Sequence, residues 1–237
     1  MLDFVFFGWY KGSSIGGIAL RFQPIKNAED LVRRVDELGF LPFTRCGVDG
    51  LSLEELTPSE FWFVKDVEGP WEWRQQAIDR FAYGKFFAKN AGLLSFEWFP
   101  ALCNTRRGGL DFDERYEDGQ IPVNAKRIYE LIERRPRSTL ELRALTPGSN
   151  YTVDRAVTQL MMSADILIVG FDARIDSKGH PYGWGISRFA AADLALPHLT
   201  RAAYSEDPED SLRRMRAHIL SLCPDADLKA VDRILRA

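Results

Sequence analysis

The sequence predicts an α+β fold that is mainly helical, and three observations carry that expectation. Apolar residues recur at three- and four-residue spacing behind capping signals at Asn27, Ser52, Ser138 and Asp207. Two runs with strand character, 166–171 and 182–189, flank a turn that contains Gly179. A stretch upstream of them, 60–112, is unusually dense in Trp, Tyr and Phe. The 237 residues are enough to bury a substantial core. By pattern they divide into a glycine-rich N-terminal extension (1–26), an aromatic-rich α/β region (27–121), a helix-and-hairpin unit (122–190) and a helical C-terminal segment (191–237).

Residues 1–20 suit a short strand pair or an extension that the fold does not need. The first helix starts at Asn27, carries Asp30 in its first turn, turns Leu31, Val35 and Leu38 inward and stops at Gly39. Ser52-Leu53-Glu54-Glu55 reads as a capping box. The spacing predicts a helix over 77–90 ending before Gly92, and a short turn or helix over 97–102. Gly108-Gly109 breaks the chain ahead of the acidic Asp111-Phe112-Asp113-Glu114.

A helix over 124–134 follows, with Ile128, Leu131 and Ile132 on one face, ending before Pro136. Ser138-Thr139-Leu140-Glu141 is a second capping box, opening a short helix through Leu145. Pro147-Gly148-Ser149-Asn150 makes the turn, with Asn150 as cap of a helix over 151–163. That helix keeps Val153, Val157, Leu160 and Met161 inward and leaves Thr152, Asp154, Arg155, Thr158 and Gln159 outward. The run 166–171 is nearly all β-branched or apolar, and 182–189 alternates Tyr182, Trp184, Ile186 and Arg188. Asp176-Ser177-Lys178-Gly179-His180 joins them as a hairpin turn. Asp207-Pro208 starts a helix with Leu212, Met215, Ile219 and Leu220 inward. Pro224-Asp225 restarts a last helix with Leu228, Val231 and Ile234 inward. This pair is expected to pack on the preceding unit or to form a homodimer contact.

A net charge of −3 and a pI near 5.7 exclude a surface coated in positive charge. Any nucleic-acid affinity must therefore come from a local patch of Lys and Arg. Cys46, Cys103 and Cys223 lie far apart and read as reduced, mostly buried thiols. The N-terminus lacks the basic start of a secretory signal, and no stretch nears the roughly 18 apolar residues of a membrane span. Cytoplasm is the expected location. His180, His198 and His218 have no Cys or carboxylate partner at ligand spacing, and Asp111, Asp113 and Glu114 lack the spaced oxygens and glycine of a Ca²⁺ loop. No metal or cofactor is expected.

Three helices with a tight second turn and then a β-hairpin is the order of a winged helix-turn-helix. In such folds the third helix enters the major groove and the wing lies along the backbone or minor groove. Thr152, Arg155, Thr158 and Gln159 are then the candidates for base-edge or phosphate contacts, and Lys178 and His180 for phosphates at the wing tip. From 126 to 155 there are seven basic residues (126, 127, 134, 135, 137, 143, 155) against four acidic ones (130, 133, 141, 154). Asp154 sits on the reading face and opposes phosphate. Winged helices also dock proteins, so both partners stay open.

Trp71-Glu72-Trp73-Arg74, with Tyr83 and Lys85, gathers the parts a base-flipping enzyme needs: aromatic faces, cations and a carboxylate to activate water. Glu72 is the first candidate general base, with Asp111 and Asp113 behind it. Arg74, Lys85, Arg106 and Arg107 are candidates to hold flanking phosphates. The same residues also fit an aromatic core with an ordinary Glu72–Arg74 ion pair and a solvated Arg106-Arg107 turn.

With both regions in view, the chain resembles the AlkZ-related proteins, bacterial relatives of winged-helix DNA glycosylases that remove bulky or crosslinked bases. The resemblance runs from about Asn27 to the C-terminus. It rests on Leu51-Ser52-Leu53-Glu54-Glu55-Leu56, Pro70-Trp71-Glu72-Trp73-Arg74, Ala82-Tyr83-Gly84-Lys85-Phe86-Phe87 and Trp98-Phe99-Pro100. Arg106-Arg107-Gly108, Asp111-Phe112-Asp113 and Tyr182-Gly183-Trp184-Gly185 complete it. It implies double-stranded DNA as partner and base excision as an activity. The glycosylases position water with a Gln-x-Gln or similar motif, and this sequence has no Gln-x-Gln. Gln75 and Gln76 are adjacent, so their side chains diverge. Three readings follow: a non-catalytic DNA-binding protein, an active glycosylase, and a protein-interaction module.

Overall fold

A computed structural model describes residues 22–183 and 185–236. The strand pair expected at 1–20 and the Trp184 position of the hairpin lie outside them. Helix α1 (Ala28–Leu38) begins where its cap predicts: the Asn27 side-chain oxygen accepts the Asp30 amide at 2.8 Å, and Leu31, Val35 and Leu38 are buried. It ends at Gly39, where φ is 76° and an added Cβ would sit 2.5 Å from the Trp98 ring, so only glycine fits. Strand β1 (Phe40–Pro42) and helix α2 (Leu53–Leu56) follow. Ser52 caps α2, but Glu55 reaches back to the Gly50 amide at 3.1 Å and to the Ser52 hydroxyl, leaving half of the expected box.

After α3 (Pro70–Gln76) the helix expected over 77–90 does not form. The chain instead makes an antiparallel hairpin of β2 (Ala82–Phe87) and β3 (Asn90–Leu94). The cause is burial in adjacent pairs. Phe86, Phe87, Leu93 and Leu94 are all inaccessible, and a bulge between Gly84 and Phe87 lets consecutive phenylalanines enter the core. Doubled apolar positions imitate helical spacing in the sequence. With Phe40 opposite Leu94, the sheet order is β1-β3-β2. Its two-residue turn holds Ala88 at φ 49° and Lys89 at φ 71°. For non-glycine residues this left-handed geometry costs about 1–2 kcal/mol each.

The expected turn at 97–102 extends into α4 (Phe99–Arg107), followed by α5 (Phe112–Glu117), which Asp111 and Glu114 cap reciprocally. Residues 122–190 then form α6 (Val123–Ile132), β4 (Arg137–Ser138), α7 (Thr139–Leu145), α8 (Asn150–Met162), β5 (Ile166–Asp172) and β6 (Ile186–Ala191). The Ser138–Glu141 capping box is complete. The cap of α8 is Ser149 rather than Asn150, its hydroxyl accepting the Thr152 amide at 3.2 Å. A second antiparallel sheet runs β4-β6-β5, its β6 strand pairing only from Ile186. Helix α8 closes with the Asp165 amide on the Leu160 carbonyl (2.9 Å) and the Ala164 amide on the Met161 carbonyl (3.0 Å). Ala164, at φ 56°, occupies the position that glycine usually takes in this motif.

Short helices α9 (Ala192–Ala195) and α10 (Pro197–Ala202) lead to α11 (Pro208–Leu222), capped by Asp207, and α12 (Leu228–Arg236). Leu212, Met215 and Ile219 are buried as expected, with Leu220 partly so. Leu228 is not inward: it is 53% exposed. At 100° per residue it lies about a quarter turn from the centre of the arc formed by Ala230, Val231, Ile234 and Leu235. The pair packs on α4 and β2, against the aromatic region. One cluster of buried apolar side chains runs from Ile25 to Leu235 through both sheets. Among the described residues no helix is long and apolar enough to cross a membrane.

Candidate nucleic-acid interface

Helix α8 has a buried stripe of Val153, Ala156, Val157, Leu160 and Met161, which fixes the direction of its opposite face. That face presents Tyr151, Arg155, Thr158 and Gln159 into a cleft of about 600 Å³. The β2–β3 turn contributes Lys89 to the same cleft, α4 contributes Arg106 and the end of α12 contributes Arg236. Three of the expected contact residues, Arg155, Thr158 and Gln159, thus meet a fourth, Arg106, that is far away in sequence.

The acidic residue of this face is neutralised within the fold. Asp154 takes two hydrogen bonds from Arg143 of α7, from Nη2 at 2.7 Å and from Nε at 3.2 Å. Its carboxylate is therefore less of an obstacle to phosphate than the sequence implied. Lys89 and Arg155 form no ion pair with a carboxylate among the described residues, and Arg236 pairs with Glu209 at 3.2 Å.

Arg106 is no solvated turn residue. Its Nη1 donates to Met162 O at 2.6 Å, its Nη2 to Phe86 O and Ile234 O at 2.8 Å each, and its Nε to Leu235 O. Three of these carbonyls end α8 and α12, where a cation complements the helix dipole. Burial pushes the guanidinium down to about 10, so it stays charged at neutral pH.

The other expected residues lie elsewhere. Arg107 is buried in a network around Asp165, with Nε 3.3 Å from its carboxylate and Nη2 on Ala164 O at 2.7 Å. Burial alone would lower this guanidinium; the adjacent Cys103 sulfur and the Asp165 carboxylate outweigh that and raise it. Arg74 is enclosed by aromatic rings, 4.4 Å from the Phe171 centroid, 4.8 Å from Trp71 and 5.1 Å from Tyr83, and donates to the Tyr83 hydroxyl at 2.6 Å. Neither arginine is at the surface to hold a flanking phosphate. Lys85 is half-buried on β2 and outside the cleft.

None of the three candidate carboxylates lines the cleft. Glu72 accepts the Gly69 amide at 2.9 Å at the start of α3, in place of the expected pair with Arg74. Asp111 caps α5, and Asp113 is exposed in its first turn. Thr152 is half-buried beside Ser149, with the two hydroxyls 3.0 Å apart. Lys178 and His180 are exposed in the β5–β6 loop, where their amides donate to Asp176 at 2.8 and 2.9 Å. Those amide bonds, His180 first, hold the Asp176 carboxyl below its ordinary value.

Sequence reasoning missed Lys89, Tyr151 and Arg236. The first is hidden by the wrong helix over 77–90, and the last needs the docking of α12 against α4. Only Tyr151 had a local signal, as an exposed aromatic beside a helix cap.

No curated protein and no solved structure matches the chain. A family model described as AlkZ related matches residues 25–236. That span takes in every described element from α1 to α12, and the chain belongs to the AlkZ-related family.

Proposed function

We propose that the chain binds duplex DNA and that residues 122–190 act as a winged helix-turn-helix. In this reading α8 is the groove-facing helix, with Thr152, Arg155, Thr158 and Gln159 as contacts, and the β5–β6 loop is the wing, with Lys178 and His180 on the backbone. The observation that carries it is the outward face of α8, which opens on Lys89, Arg106 and Arg236 while Arg143 holds its Asp154. Affinity for a duplex of about 20 base pairs should fall steeply with salt, and Arg155→Ala should flatten the log–log slope by about one. Identical binding in wild type, Arg155→Ala and Lys178→Ala would remove this face from the reading.

Family membership favours a second reading, base excision from duplex DNA. Glu72 is its first candidate for activating water, with Asp111 and Asp113 behind. Glu72 and Asp111 also cap helices. Loss of abasic-site product in Glu72→Gln, with the melting temperature held, would give that carboxylate a chemical role beyond its cap. A lesion panel that yields no product from the wild type counts against excision.

A further inference from the structure

We propose that the cleft between the β2–β3 turn, α8 and the end of α12 is a single-nucleotide pocket, with Lys89, Arg106 and Arg155 on the phosphate and the Tyr151 ring against the base. The proposal deepens the reading of α8 as a nucleic-acid surface by naming the ligand unit its cleft takes.

Charge is the first support. Among the described residues, Lys89, Arg106, Arg155 and Arg236 line the cleft against one carboxylate, Asp154, which already receives two hydrogen bonds from Arg143. Arg236 is shared with Glu209. Arg106 spends four of its five N–H groups on carbonyl oxygens, forms no ion pair with a carboxylate among the described residues, and keeps one Nη1 hydrogen.

The second support is independent of charge. A two-residue hairpin with both residues left-handed calls for Asn-Gly or a similar pair. Here Ala88 and Lys89 hold that geometry, at φ 49° and 71°. A glycine at 89 would relieve the backbone and delete the ammonium. Strain kept at a residue that lines a basic cleft points to a use for the side chain.

Size and lining select a nucleotide over a bare phosphate. About 600 Å³ is in the range of small-ligand sites, roughly 300–1,000 Å³. Tyr151, 75% exposed, offers an aromatic face, and Met162 an apolar wall. Lys178 and His180 of the β5–β6 loop are outside this cleft, so pocket and loop can be tested separately.

The test is calorimetric titration of the full chain with dAMP and with inorganic phosphate, beside duplex binding followed by fluorescence anisotropy. We expect dAMP to bind, and Lys89→Gly and Lys89→Gln each to weaken it about tenfold, with Lys89→Gly raising the melting temperature. Tyr151→Ala should weaken dAMP by at least about fivefold, the lower end for a stacked base, and leave phosphate binding unchanged. No dAMP binding, or binding unaltered in both Lys89 variants, overturns the pocket. Duplex binding that persists without dAMP binding removes the pocket and keeps the duplex reading. Binding of dAMP with Lys89 dependence but without duplex binding keeps the pocket and removes the duplex reading.

Discussion

Asp165→Asn isolates the energetics of the buried charges that anchor α8 to the rest of the chain. Asp165 is 1% exposed, at the junction of α8 and β5. Both Arg115 Nη atoms bond its carboxylate, Nη1 at 3.2 Å; Arg107 Nε lies 3.3 Å away, and Ser163 donates its hydroxyl at 2.5 Å. The amide keeps the shape and an acceptor but removes the charge between two buried guanidiniums. The remaining carboxylate, Asp193, is half-exposed and 3.7 Å from Arg107. Stranding a buried ion pair in this way costs about 3–5 kcal/mol. For a chain of this length about 2–4 °C accompany each kcal/mol, which gives a fall in Tm of roughly 6–20 °C. Urea unfolding followed by tryptophan fluorescence, alongside a thermal melt by circular dichroism, reads both quantities. Asp193→Asn is the matched control and should lose under about 1 kcal/mol. If Asp165→Asn stays within 1 kcal/mol of wild type, or the two variants lose equally, burial is not what gives Asp165 its weight.

Other substitutions test separate features. Ala164→Gly should raise stability by about 1 kcal/mol, because an alanine at positive φ is strained; an unchanged or lower melting temperature counts against the assigned helix ending. Burial pushes the Cys103 thiol up to about 12. At pH 8 it should resist iodoacetamide until the protein is unfolded, and labelling at the rate of a free thiol contradicts that. The Ser211 hydroxyl, and then Arg214, hold the Glu206 carboxyl below its ordinary 4.5. Since the folded value is the lower one, its stabilisation is complete above pH 4.5 and vanishes as pH falls through the folded value. Glu206→Gln should therefore be less stable at pH 7, by under about 1 kcal/mol for so exposed a pair. The gap should close as pH falls through the folded value; a gap that widens in acid reverses the assignment.

The helical framework was legible because its signals are local. Asn27, Ser138 and Asp207 cap the helices they were expected to cap, and the inward stripe of α8 follows from spacing alone. The β2–β3 hairpin was not legible, since its turn has no glycine and its doubled apolar residues imitate a helix. The candidate site was legible only along α8. Arg155, Thr158 and Gln159 share one helix face, but Lys89 and Arg236 join them through contacts between distant segments. The motif Arg106-Arg107 was visible, but its burial was not: neighbouring residues cannot reveal that four distant carbonyls await one guanidinium.

That guanidinium also sets an order of events during synthesis. Its acceptors lie 20 residues upstream, at Phe86, and 56, 128 and 129 residues downstream, at Met162, Ile234 and Leu235. At about 5–20 residues per second, the ribosome reaches Leu235 roughly 6–26 s after Arg106. Once Met162 has been added, and until α12 follows, the nascent chain has α8 but no floor beneath its basic face. A nascent polypeptide stalled before α12 would expose that helix without the cleft, so the complete basic site belongs only to chains that have been translated through Arg236.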